Sequence, residues 1–354
     1  MKTNSLMPSP AITILLYFLL ISAFFASCQK GSNSAGPKIT KPSMGYIDTG
    51  SAITGATMIT EMANGLSANP VFKSAAPVIL SNEHDMVIQG IATSHIALFN
   101  CYNITIRNCK IGPNKQTGVY LTQCNNVNID SCYLYQVSTG VYARDSKTIS
   151  VTNCEAKNMM GPYPEGQFVQ YNNVSGGGNK VSFNKLENIL GESYTEDAIS
   201  IYASNGLPGD PIVIESNWIR GGGPSRSGGG IMLGDGGGSN MVARNNILVD
   251  PGQYGMAVSG GSYMSIVNNT IFAKAQPFTS VGLYYRNYSG PPSTNIYIGK
   301  NAINYSNSKN LLNNTYLGPG NPAPMGWQTN NYSAGLSKSL LPENIVSELI
   351  FISE

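Results

Sequence analysis

Two adjacent acids, Glu196 and Asp197, stand in "YTEDAISIY" (194–202), immediately before an alternating apolar run. Two carboxyl groups this close can divide acid and base duties, because mutual repulsion raises one pKa. They can instead hold Ca²⁺ through oxygen ligands, or shape a turn by accepting backbone N–H bonds. Other polar groups recur at comparable places in the chain. Tyr142 and Arg144 lie in "GVYARD" (140–145), Gln167 and Gln170 in "GQFVQYNN" (166–173), and Tyr202 closes the acid-bearing stretch. Arg226 and Asp235 lie in "SRSGGGIMLGD" (225–235), and Tyr254 in "VDPGQYG" (249–255). Histidines are limited to His84 and His95, too few to converge on a transition metal with the cysteines present.

The elements that would gather these residues are announced by a repeat. Units such as "NITIRNCKI" (103–111), "NVNIDSCYL" (126–134), "TISVTNCEA" (148–156), "KVSFNKLEN" (180–188) and "PIVIESNWI" (211–219) share one pattern, apolar-x-apolar-x-x-(Cys/Asn/Leu)-x-apolar. It continues through "NMVARNNIL" (240–248), "YMSIVNNTI" (263–271) and "NIYIGKNAI" (295–303). A second alternating unit precedes each, as in "GVYLTQ" (118–123) and "AISIYA" (198–203). Alternation at period two means strands with one face buried, and self-similarity at this period means a solenoid. The expected fold is all-β: a right-handed parallel β-helix of about nine rungs with terminal caps.

Stacked rungs place equivalent residues in columns about 4.8 Å apart. Columns of like charge repel, which accounts for only 11% charged residues in 354. Cys109, Cys132 and Cys154 share one repeat position, taken later by Asn217, Asn246, Asn269 and Asn301, with Leu186 between. These read as a buried thiol ladder passing into an asparagine ladder, with Cys101 and Cys124 in a second column. Disulfides between rungs are sterically permitted, but parallel side-chain directions favour thiols.

Insertions at 158–168, 187–198, 220–230 and 249–255 enter successive copies of the same strand, so they should line one groove. Its floor would carry the columns Tyr120, Tyr142, Gln170, Ser200, Met232 and Thr122, Arg144, Asn172, Tyr202, Gly234. Such a surface suits an extended polar polymer, with tyrosine offering both ring and hydroxyl to a sugar. The catalytic candidates are Glu196, Asp197 and Arg226. The substrate-binding candidates are Tyr142, Arg144, Gln167, Gln170, Tyr202, Asp235 and Tyr254.

Over residues 76–304 the chain resembles the pectate-lyase-like β-helix superfamily. Within it, "EDAISIY" resembles the acid-pair strand of polygalacturonase-type glycoside hydrolases. That family's third acid falls on Gln167, its histidine on Gly229, and its basic motif has no counterpart in "GMAVSGG" (255–261). The resemblance implies a polysaccharide hydrolase, or a lyase in which Arg226, Arg144, Tyr202 or Tyr254 serves β-elimination with Ca²⁺ on Glu196 and Asp197. A non-catalytic glycan-binding or structural solenoid is the alternative.

Residues 1–27 read as a signal peptide. "FFASC" resembles a bacterial lipobox, implying lipidation of Cys28, a tether over 28–45 and a membrane-anchored protein of the cell envelope. The β-helix with its N-terminal cap would span 46–305, and 306–354 would cap the C-terminal end, with an amphipathic helix from Pro342. A formal charge of +2 offers no nucleic-acid footprint. Oligomeric state is not legible.

Overall fold

The computed structural model describes residues 72–346, in which parallel strands alternate with turns and loops and two 3₁₀ turns stand at Trp327–Thr329 and Lys338–Leu340. Cys28, the segment before it and the proposed N-terminal cap up to residue 71 lie outside the described residues. The strands form three stacks. A back sheet of eleven strands runs from Lys73–Ser74 to Asn331–Tyr332. The floor stack includes Val119–Thr122, Val141–Arg144, Val169–Asn172 and Ile199–Asn205, and the flank stack includes Tyr102–Arg107, Asn125–Asp130 and Lys147–Thr152. The long strand Ile231–Arg244 belongs to both floor and flank and joins them.

Each stack contributes inward columns to one core. On the floor Val119, Val141, Val169 and Ile199 stand in register, and on the back Leu134, Ala156, Leu186 and Ile219 do so. All of these are 0–1% exposed, and each fully buried Val, Leu or Ile contributes roughly 1.5–3 kcal/mol.

The corner between flank and back is a two-residue turn repeated along the axis. Its first residue has positive φ, at Asn108, Ser131, Asn153, Ser216, Asn245 and Asn268 among others. Asparagine tolerates this region best of the non-glycine residues. The second residue points inward and forms the expected ladder. The Cys132 amide donates to the Cys154 Sγ at 3.4 Å, and the five described cysteines are free, buried thiols. Burial, with the Cys154 thiol beside it, pushes the Cys132 thiol well above its ordinary value, and the contact with Cys132 together with burial raises Cys109.

One rung departs from the sequence reading. Val181 pairs with Val151 and Ile214, so Asn179 occupies the first apolar position and Asn184, not Leu186, occupies the ladder. Asn184 donates to the Oδ1 of Asn217 at 2.9 Å, and the chain of amides continues through Asn246, Asn269 and Asn301 to Asn330. The shortened flank strand Lys180–Ser182 leaves Ile149, paired with Val127 on one side, without a ladder partner on the other. Asn179 Oδ1 accepts from its N–H at 2.8 Å, and the fully buried Tyr171 hydroxyl donates to its carbonyl at 2.9 Å.

No helix starts at Pro342 among the described residues. Residues 337–346 run instead across the outer face of the back sheet. Leu341, Ile345 and Val346 bury against Tyr133, Trp218, Ile247 and Val249, the Ile345 amide donates to Glu187 at 2.7 Å, and Arg220 donates to the Lys338 carbonyl at 3.0 Å. Trp327, earlier in the same C-terminal stretch, packs against the main core.

Candidate functional site

The outward floor column Tyr120, Tyr142, Gln170, Ser200, Met232 lies in register as expected. Side chains shorten sharply along it from the tyrosines to Ser200, and the gap is a cleft of about 480 Å³. Tyr120 and Tyr142 stack with parallel rings 5.7 Å apart. One face of Tyr142 is thereby spent on its neighbour, and Asn172 donates to its hydroxyl at 2.9 Å. Tyr163, Pro164 and Glu165, from the 158–168 insertion, form one rim.

Glu196 and Asp197 both line this cleft, although strand alternation would send neighbours to opposite sides. A bend at Glu196, before the strand begins at Ile199, turns both carboxyls the same way. Each is 7–8% exposed, so each requires donors. Glu196 receives two serine hydroxyls, Ser225 at 2.5 Å and Ser227 at 2.7 Å. Asp197 Oδ1 accepts from the Gly229 amide at 2.9 Å and from the Tyr254 hydroxyl.

These neutral donors do not offset the burial of Asp197. Desolvation, together with the negative charges of Glu196 and Asp235, pushes its carboxyl up to about 7. Asp235, on the next rung, is also raised by burial. Tyr254 is pushed well above its ordinary value by burial and by Asp197, which fixes it as a proton donor.

Glycines permit this packing. A Cβ on Gly228 would fall 2.3 Å from the Glu196 backbone, and one on Gly229 would fall 2.7 Å from the Tyr254 ring. Position 229, where the resembling hydrolases carry histidine, therefore has no room for a side chain.

Of the ten residues nominated from sequence, the cleft gathers seven: Tyr142, Gln167, Gln170, Glu196, Asp197, Tyr202 and Asp235. Three do not line it. Arg144 points away and pairs with exposed Asp145 at 3.0 Å. Arg226 is exposed, while its carbonyl accepts from Gln253. Tyr254 is 1% exposed and stands behind Asp197, edge-on to Tyr284 at 5.1 Å, so it contacts the acid rather than a ligand. A bulge also sets Asp235, not Gly234, beside Tyr202.

Sequence reasoning missed Ser225 and Ser227. Both lie in a loop outside the strands, where alternation gives no signal. The same reasoning missed Thr117 and Thr139, which line the cleft, Thr139 donating to Gln167 at 3.2 Å. Among the described residues no group of three His, Cys, Asp or Glu is arranged to hold a metal. Serine hydroxyls engage both Glu196 oxygens, while both donors to Asp197 meet its Oδ1.

The model for the right handed beta helix region matches residues 84–271. The chain belongs to the right-handed β-helix family. No curated protein matches the sequence significantly. Solved structures similar to this β-helix include the catalytic domain of a GH87 alpha-1,3-glucanase in complex with tetrasaccharides (11% identity, 85% of this chain and 71% of that chain, TM-score 0.44). The tailspike protein of E. coli bacteriophage HK620 in complex with pentasaccharide follows (10%, 72% and 58%, TM-score 0.38). So does the A-module of the Azotobacter vinelandii mannuronan C-5 epimerase (11%, 76% and 98%, TM-score 0.22). At these TM-scores the likenesses carry no functional argument, and the assignment rests on the cleft.

Proposed function

We propose that this β-helix binds an extended glycan along its floor and cleaves it by acid–base hydrolysis, with Asp197 as the proton donor. The observation that carries the reading is the position of Asp197: a buried carboxyl raised to about 7, opening on a cleft beside a second, separate carboxyl, Asp235. A general acid works best with a pKa near the working pH.

In this reading a sugar ring sits over Gln170 and Ser200, where the floor is lowest. Asp197 gives its proton to the glycosidic oxygen as the C–O bond breaks, and Asp235 accepts a proton from the attacking water. Tyr254 and the Gly229 amide orient Asp197, and the two serines hold Glu196 in place. β-Elimination is less well supported, since of the bases considered for it only Tyr202 lines the cleft.

The test is turnover by purified protein against a polysaccharide panel. New reducing ends without the absorbance of an unsaturated product support hydrolysis, whereas that absorbance indicates a lyase. Activity that persists in Asp197→Asn rules out the assigned acid. A second reading, glycan binding without cleavage, is favoured by one observation: both Glu196 oxygens are already engaged by serine hydroxyls. Saturable binding with no product under any condition supports it.

Export and lipid anchoring at Cys28, in the cell envelope, belong to the same proposal. Metabolic labelling with a fatty acid, lost in Cys28→Ala, is the check.

A further inference from the structure

The charges around the cleft restrict what can enter it. Glu165, Glu196, Asp197 and Asp235 line it, and among the described residues no Lys or Arg does. The two arginines nearest in sequence are turned elsewhere, Arg144 to Asp145 and Arg226 to solvent. Charges acting on Asp197 from its surroundings, Glu196 and Asp235, are both negative.

The remaining lining is neutral and of mixed donor–acceptor character, with Thr139, Gln167, Gln170, Asn172 and Ser200. Hydroxyl-rich, uncharged sugars both give and accept hydrogen bonds and match such a surface. A carboxylate-bearing sugar brings an anion among carboxyls, with no cation to replace its lost hydration.

Resting on the function proposed above, we infer that the substrate is an uncharged, hydroxyl-rich glycan and that uronate polymers are excluded by charge. Glu165, exposed on the rim loop, is the component of that barrier that can be altered without disturbing the buried acids.

The experiment compares binding of matched oligosaccharides, neutral gluco- and manno-oligomers against oligogalacturonate and oligomannuronate, by the full-length protein at low and moderate salt. Neutral oligomers should bind with affinity changing less than about twofold with salt. Any residual uronate binding should strengthen about tenfold as salt screens the repulsion. Glu165→Lys, with its melting temperature checked against the parent, should raise the uronate-to-neutral affinity ratio at least about fivefold. Uronate oligomers that bind more tightly than neutral ones at low salt, or a ratio unmoved by Glu165→Lys, would overturn this inference and leave the glycan site standing. If neither class binds, the reading of the cleft as a glycan site falls as well.

Discussion

The back and the floor of this β-helix both bury carboxylates, yet they treat them in opposite ways. On the back, Glu155 pairs with Lys185 and Glu187 with Lys157, each at 3.1 Å. Opposite charges alternate between neighbouring rungs there, and the tail covers them, donating two amides to Glu187. On the floor, Glu196, Asp197 and Asp235 share one cleft with no cation, and the two nearly buried ones receive only neutral donors. Compensated charge on the back holds rungs and tail together. Uncompensated charge on the floor costs stability and leaves one carboxyl protonated near neutrality. A fold keeps such a cost where it serves chemistry.

The contrast fails if the two sets of acids respond alike to mutation. Asp197→Asn should lower kcat by about 10²–10⁴-fold, the usual contribution of a general acid, while leaving the melting temperature unchanged or higher. Glu187→Ala should do the reverse. It strands Lys157 and two tail amides, so chemical denaturation should show a loss of about 3 kcal/mol with kcat nearly unchanged. Equal effects of both substitutions on stability, with neither affecting turnover, would remove the distinction between the two faces.

Titration sharpens the same point. The Asp197 pKa is higher in the folded protein, about 7, than its ordinary 3.8. Between these values the native state holds a proton that the unfolded chain has released, so its contribution is fully present at low pH and is lost as pH rises toward 7. Asp197→Asn should abolish that component, and the parent's stability should converge on the variant's below about pH 4. The pH–rate profile should fall on its alkaline side with an apparent pKa near 7, because the acid must be protonated to act. An alkaline limb that survives in Asp197→Asn would assign the titration to another group.

Which parts were legible in the sequence follows from how each is encoded. The solenoid and its columns are written many times over, so Tyr120, Tyr142, Gln170 and Ser200 could be aligned from repeats alone. Where a rung breaks the pattern there is no second copy to consult. Asn184 was missed in the ladder because Asn179, a polar residue, stands where the pattern has an apolar one. Asp235 replaced Gly234 because a bulge adds a residue that alternation does not count. The convergence of Glu196 and Asp197 depends on a bend outside the repeating strands, and the serines that hold Glu196 come from a loop with no periodicity. In the tail, the apolar spacing of Leu341, Ile345 and Val346 suggests a helix, yet the same spacing is met by an irregular segment lying across a ridged sheet.

The smallest expected effect concerns Arg226, which charge and loop position made attractive from sequence. The structure leaves its side chain exposed and gives its backbone carbonyl to Gln253. Backbone hydrogen bonds persist whatever the side chain, so Arg226→Ala should shift stability by less than about 0.5 kcal/mol and kcat by less than about twofold. The flanking serines provide the control. Ser225→Ala deletes a buried donor to Glu196, and an acceptor for the amides of Ser227 and Gly228, at a cost of about 1–3 kcal/mol. If Arg226→Ala proved the more damaging of the two, the guanidinium would have to reach the cleft in solution, and the cleft would no longer lack a cation.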